Sequence, residues 1–191
     1  VDRSGPTAWS IEIADCARSF ATGDVPALGR LFDLTAARLL RYAQAITRTR
    51  EDAEDAVQAA IMRMARNPQS LAHVRLPWPY LLKAVRNEAL RLLARKRHTT
   101  ELNDSVTSVS VTSYGVESAE REGEVQAALK RLPAEQAEVV VLKIWENLTF
   151  QEIAAVTGES LNTVASRYRY ALTKLEHSLR RIASEVGYVV D

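Results

Sequence analysis

The chain has 191 residues, with 25 Lys and Arg against 24 Asp and Glu, for a formal net charge of +1. Its 47% hydrophobic and 26% charged content is that of an ordinary globular protein, which excludes wholesale disorder, and its length suits one ordinary domain or two small ones. So even a balance sets up no global field for a polyanion, and any nucleic-acid signal has to be local. One cysteine, Cys16, and the scattered His73, His98 and His177 provide neither a disulfide framework nor metal-ligand spacing. The longest aliphatic run, Val139 to Leu142, falls far short of the roughly 20 apolar residues a bilayer span needs, and no signal-peptide pattern opens the chain. With one cysteine and no signal pattern the reducing cytoplasm is the expected location, and with no GxGxxG, P-loop or GxSxG spacing no cofactor is expected and an enzyme is disfavoured.

Sparse Gly and Pro, abundant Ala and Leu, and apolar residues recurring at three and four predict an all-α fold. A helix is expected around Trp9 to Phe20, with Cys16 as a small buried residue between Ile13 and Phe20. Asp24 then caps a long helix with Pro26 in its first turn, whose stripe is Leu28, Leu31, Phe32, Ala36, Leu39, Leu40, Ala43 and Ile46. The next helix opens on Glu51, Asp52, Glu54 and Asp55, closes on Arg63 and Arg66, and stops at Asn67 and Pro68, as the helix dipole favours. A further helix runs from about Pro79 to Arg97. The stretch Thr99 to Ser118 carries no helical stripe, and nine of its twenty residues are Ser or Thr, so it reads as a linker between two modules. A short edge strand through Val109 and Val111 is the alternative there.

The second module begins with a helix around Ala119 to Arg131, and Pro133 starts the next, which carries Val139, Val140, Leu142, Ile144 and Trp145 toward the core. Thr149 and Glu152 form a capping box for FQEIAAVTG, Gly158 supplies a left-handed stop, and Ser160 caps a last helix reaching about Ile182. Two helices joined by such a short glycine-containing turn form a helix-turn-helix pattern. In its second helix Leu161, Val164, Tyr168, Ala171, Leu172 and Leu175 make the apolar stripe. Thr163, Ser166, Arg167 and Tyr170 stand opposite with Arg169 beside them, a set of hydroxyls, cations and one ring suited to a major groove. An ordinary solvated helix face explains the same residues, but the capped helix and glycine turn ahead of them favour DNA.

A second local signal lies between Arg75 and His98, where seven cations (Arg75, Lys83, Arg86, Arg91, Arg95, Lys96 and Arg97) meet one acid, Glu88. With Trp78, Tyr80 and Asn87 among them, these residues can follow a phosphate backbone and stack or hydrogen-bond an unpaired base. A solvated basic face or an anionic protein partner is the alternative. Residues 101–127 carry six acids and one arginine, which hides the patch from the net charge. Extended at about 3.3 Å per residue, the linker spans up to roughly 65 Å, so the two modules can occupy separate DNA sites.

Three stretches together resemble the extracytoplasmic-function sigma factors of bacterial RNA polymerase. GDVPALGRLFDLTAARLLRYAQAITRTREDAEDAVQAAIMRM looks like the start of sigma region two, KAVRNEALRLLARKR like its promoter-melting helix, and LPAEQAEVVVLKIWENLTFQEIAAVTGESLNTVASRYRYALTKL like region four. The resemblance implies a region-two bundle over 7–98, a linker over 99–118 and a region-four helix-turn-helix over 119–182. It implies that Asp55 and Gln58, flanking Ala56 and Val57, dock on core RNA polymerase. Tyr80, Lys83, Arg86, Asn87 and Arg91 would hold the minus-ten element, with Arg86 and Asn87 matching the pair that captures a flipped base. Thr163, Ser166, Arg167, Arg169 and Tyr170 would read the minus-thirty-five element.

The resemblance further implies an anti-sigma factor as a regulatory partner. With only a short tail from Ile182 to Asp191 beyond region four, no appended domain is expected. The sequence departs from the family pattern where Arg91 replaces a usual Asp, where Ala137 replaces a usual Arg, and where Leu161 and Asn162 precede Thr163 in place of a usual Gly. Ala165 and Tyr170 stand where arginines are frequent, so the promoter sequence does not carry over. Both Trp78 and Tyr80 are candidates for the ring beside a melted strand. A stand-alone helix-turn-helix regulator that dimerises through its first module is the alternative, followed by a helical adaptor that leaves DNA alone.

Overall fold

The computed structural model describes residues 7–102 and 127–185. Among them there is helix and no strand: α1 (Ala8–Ala21), α2 (Val25–Thr47), α3 (Arg50–Arg66), a 3₁₀ turn (Pro68–Leu71), α4 (Pro77–Leu102), the described end of α5 (127–131), α6 (Ala134–Val140), α7 (Phe150–Thr157) and α8 (Leu161–Glu185). The possible strand through Val109 and Val111 and most of the expected linker lie outside the described residues.

Local chemistry explains most helix ends. Thr7 and Thr49 cap α1 and α3 by accepting from the amides of Ser10 and Asp52, which satisfies donors that the helix itself leaves open. Asp24 precedes α2 as expected, but its carboxylate makes no capping bond and instead takes the Arg30 guanidinium at 2.7 Å. Proline at 77 and again at 79 lets α4 start two residues earlier than its periodicity suggests, because a missing N–H costs nothing in a first turn. At its other end α4 continues past His98 to Leu102, taking in the first residues assigned to the linker. Thr149 and Glu152 form the full capping box of α7, Gly158 turns left-handed at φ 75°, and the Ser160 hydroxyl accepts from the Thr163 amide at 3.1 Å.

In the first half α2 packs against α1, α3 and α4, and in the second α6 packs on α8 and α7 on α8. The halves also pack on each other, α2 against α6 and α4 against α7. Leu31, Leu39, Tyr42, Leu81 and Val85 therefore belong to one continuous buried cluster with Val139, Leu142, Ile153 and Val164. Cys16, 7% exposed, joins it as the small apolar residue expected. Three residues assigned to apolar stripes are exposed instead: Phe32 on α2, and Leu161 and Leu172 on α8. Ile144 is exposed as well, and Trp145 is only half-buried.

The last two follow from a π-helical turn over Val141–Trp145 that extends α6. The Glu146 amide reaches back to the Val141 carbonyl at 3.1 Å, so each residue here advances by less than an ordinary helical step and the 3.6 period fails. Ile144 turns outward, while Trp145 and Glu146 turn toward α2. A second irregularity sits at Arg48, left-handed at φ 70°, a conformation costing a non-glycine residue roughly 1–2 kcal/mol. Its guanidinium offsets this by donating to the carbonyls of Leu129 (3.3 Å) and Leu132 (2.8 Å), where the chain leaves α5.

Two substitutions separate local from tertiary stability in urea melts of the full chain. Thr149→Ala, which removes one exposed capping hydroxyl, is expected to lower unfolding free energy by about 1 kcal/mol. Leu39→Ala, which empties a fully buried site on α2, is expected to cost about 2–5 kcal/mol with an unchanged denaturant slope.

Candidate nucleic-acid and polymerase interfaces

Because α4 repeats every 3.6 residues, its basic positions do not share one face. Tyr80, Lys83, Asn87 and Arg91 form a single stripe, with Tyr80 half-buried and the other three exposed. Arg91 is partly neutralised there by Glu88 at 2.8 Å, a carboxylate that Arg63 of α3 also reaches at 2.9 Å. Lys96, further along α4, meets Asp52 at the start of α3.

Trp78 leaves this surface entirely. It is 6% exposed, packs edge-to-face on Trp9 of α1 with centroids 5.0 Å apart, and both rings face the Arg38 guanidinium. Of the two rings the sequence offers near the basic stretch, Tyr80 is therefore the one on the exposed stripe.

Arg86, next to Asn87 in sequence, sits about 100° around the helix and points at the second half. Its Nε donates to Oε1 of Glu138 on α6 at 2.7 Å, and the Tyr42 hydroxyl donates to the same oxygen at 2.8 Å. Glu138 is 4% exposed. Burial alone lowers the Arg86 pKa, but the Glu138 charge and hydrogen bond outweigh it and hold the guanidinium protonated. Burial, reinforced by Glu138, pushes the Tyr42 phenol well above its usual range, so it remains a donor.

A matching cluster lies one turn away on α2. Glu146, 3% exposed, accepts from Arg38 Nε at 2.8 Å and from Arg41 Nη2 at 3.1 Å, and Arg38 also donates to the Trp145 carbonyl. Neither acid was singled out in the sequence. Glu138 lies in α6 among apolar neighbours and Glu146 follows the π turn, and nothing local announces partners 52 to 108 residues away.

On α8 the residues suited to a groove are gathered on one face but are not all free. The Thr163 hydroxyl lies 2.8 Å from that of Ser160 in the cap, and the Ser166 hydroxyl donates to the Asn162 carbonyl. Arg167 pairs with Glu159 in the turn at 3.0 Å, while Arg169 and Tyr170 are exposed, the guanidinium of one near the ring of the other. Glu159 also contributes to the potential at Arg86, so this turn faces α4.

Asp55 and Gln58 are exposed on α3. Gln58 borders a groove floored by Phe32, Leu40, Val57, Ile61 and Met62, and the outward turn of Phe32 and Met62 makes that groove apolar. A second apolar groove between α5, α6 and α8 holds Leu129, Val140, Ile144, Trp145, Leu172 and Leu175. Sequence periodicity assigned most of these residues to the core, because it registers that a residue is apolar and not whether a neighbour covers it. Among the described residues no group of His, Cys, Asp and Glu can hold a metal, and no helix is long and apolar enough to cross a membrane.

Residues 31–99 match Sigma-70 region 2, and residues 122–175 match Sigma-70, region 4. The chain is 32% identical over 167 residues to the ECF RNA polymerase sigma factor SigM of Mycobacterium tuberculosis, covering 87% of this chain and 84% of that one. In fold it resembles the sigma factor RpoE in complex with the anti-sigma factor NepR from Bartonella quintana, with a TM-score of 0.68 at 23% identity over 82% of this chain and 98% of that one. It likewise resembles CnrH in complex with the cytosolic domain of CnrY, with a TM-score of 0.63 at 22% identity over 89% and 98% of the two chains. With both sigma regions present in order and a relative alike over most of its length, the chain belongs to the extracytoplasmic-function family of RNA polymerase sigma factors.

Proposed function

We propose that this sigma factor divides promoter recognition among three faces. The N-terminal half of α8 reads the minus-thirty-five element through Thr163, Ser166, Arg167, Arg169 and Tyr170. The α4 stripe of Tyr80, Lys83, Asn87 and Arg91, together with Arg86, holds the opened minus-ten strand. Asp55 and Gln58 on α3, at the rim of the Phe32–Met62 groove, dock on core RNA polymerase. The functional units are a region-two bundle over 7–98, a linker over 99–118 and a region-four helix-turn-helix over 119–182.

The observation that carries this reading is the exposed α4 stripe, in which one ring, one amide and two cations share a face of the kind that binds an unpaired base and its phosphates. Strand opening then proceeds by differential binding, with no bond made or broken in the DNA backbone. Unstacking a base costs a few kcal/mol, which these contacts and those of the polymerase offset. The protein thus acts as a binding factor in the cytoplasm, without enzymatic chemistry and without a cofactor. An anti-sigma factor is its regulatory partner, a reading supported by the two similar folds being bound to such factors.

Purified protein is expected to co-elute stoichiometrically with bacterial core RNA polymerase on gel filtration without DNA. A folded protein that stays separate would return the chain to the stand-alone regulator. In run-off transcription from promoters mapped with the wild-type holoenzyme, Arg167→Ala is expected to cost about 1–3 kcal/mol of promoter affinity, the worth of a good base contact, with co-elution unchanged. Gln58→Ala is expected to do the reverse, weakening co-elution while leaving DNA contacts intact.

A further inference from the structure

Among the residues assigned to the minus-thirty-five element, Arg167 is the cation paired with an acid. Its Nη1 lies 3.0 Å from Oε1 of Glu159, and the two side chains keep 26% and 35% of their surface in water. An ion pair this open adds little to folding stability. Its consequence is directional. Arg167 lies about two turns into α8, and side chains on a helix lean toward its N-terminus. A guanidinium that reaches Glu159 therefore lies back over the turn that carries Thr163, at the end of the helix whose residues meet base edges in a major groove.

Glu159 is itself held by its neighbours. Gly158 before it turns left-handed at φ 75°, its own amide donates to the Thr157 hydroxyl at 3.4 Å, and Ser160 after it caps α8. Its carboxylate also stands next to the partial positive charge of the α8 N-terminus. The acid is a fixed point against which the long, many-rotamer arginine is set.

We propose that Glu159 is a positioning residue for promoter recognition, holding the Arg167 guanidinium toward a base edge and away from the phosphates. By this means α8 binds duplex in general less tightly and discriminates better at one base pair. The proposal rests on the reading that Arg167 contacts the minus-thirty-five element. With Nη1 beside Glu159, Nη2 and Nε are the donors for O6 and N7 of guanine, the base whose major-groove edge offers two acceptors. A free arginine takes phosphate and guanine alike, whereas the carboxylate repels a phosphate that approaches the paired guanidinium and so penalises a misplaced duplex.

The test uses holoenzyme assembled from the full chain and core polymerase, on promoters mapped with the wild-type holoenzyme. Each base pair of the minus-thirty-five element is substituted in turn, and a duplex of unrelated sequence gives the non-specific affinity. Glu159→Ala removes both the charge and the contact. Glu159→Asp keeps the charge but is one methylene too short to hold the pair. Both are also placed in an Arg167→Ala background, because Glu159 adds to the potential at Arg86 and an effect felt there has to be separated from one felt through Arg167.

Both substitutions are expected to lower discrimination about tenfold at a single G·C pair and to leave the other positions unchanged. Glu159→Ala is also expected to tighten binding to unrelated duplex, with a log–log salt dependence steeper by about 0.9, the contribution of one freed cation. Without Arg167, neither substitution is expected to change discrimination. Unfolding midpoints are expected to match wild type throughout.

The positioning role is overturned if either variant discriminates as wild type does, if the loss is spread over all positions, or if it persists without Arg167. Arg167→Ala alone keeps the two readings apart. If it removes discrimination at one base pair while the Glu159 variants retain it, the positioning role fails by itself. If it leaves every position unaffected, the assignment of Arg167 to the minus-thirty-five element fails as well.

Discussion

Two buried carboxylates organise this molecule. Glu138 and Glu146 each carry a charge whose burial would cost several kcal/mol if left unpaired, and among the described residues the cations that meet them all come from the other half. Their presence in the second half is tolerable only because α2 and α4 bring three arginines and a phenol to meet them. That requirement sets the register of α6 on α2. It also explains why the apolar cluster runs without a break from Leu31 and Tyr42 through Val85 to Val139 and Ile153.

The π turn at Val141–Trp145 is the local device that makes the second of these pairings possible. An undistorted helix with Glu138 at the seam would put residue 146, eight positions on, about 80° further around the axis. By taking an extra residue in one turn, the chain brings Glu146 to the same neighbour as Glu138 and sends Ile144 outward. The apolar groove between α5, α6 and α8 is thus a by-product of the geometry that closes the seam. Its counterpart on the first half, beside Gln58, arises where Phe32 and Met62 extend beyond the cover of neighbouring helices.

The helix-turn-helix is built differently. Its geometry is almost wholly local, with Thr149 and Glu152 starting α7, Gly158 turning the chain and Ser160 starting α8. Each of these satisfies backbone groups within a few residues.

That contrast also marks what the sequence by itself determined. Caps, helical periods and the glycine turn are short-range, and the all-α fold, the capping box and the start of α8 could all be read from residues a few positions apart, whereas the two sigma regions were read from a family resemblance. So could the α8 face of Thr163, Ser166, Arg167 and Tyr170, which needs only a regular helix. What tertiary structure decided is which residues of a face have partners. Arg86 and Asn87 are adjacent in the chain, yet 100° of helical rotation gives one to a buried acid and the other to solvent. Trp78 and Tyr80 divide between core and surface in the same way. Periodicity reports the direction of a side chain relative to its own helix. Whether that direction meets solvent, a groove or a carboxylate far along the chain depends on how separate helices pack, and no short stretch of sequence encodes it.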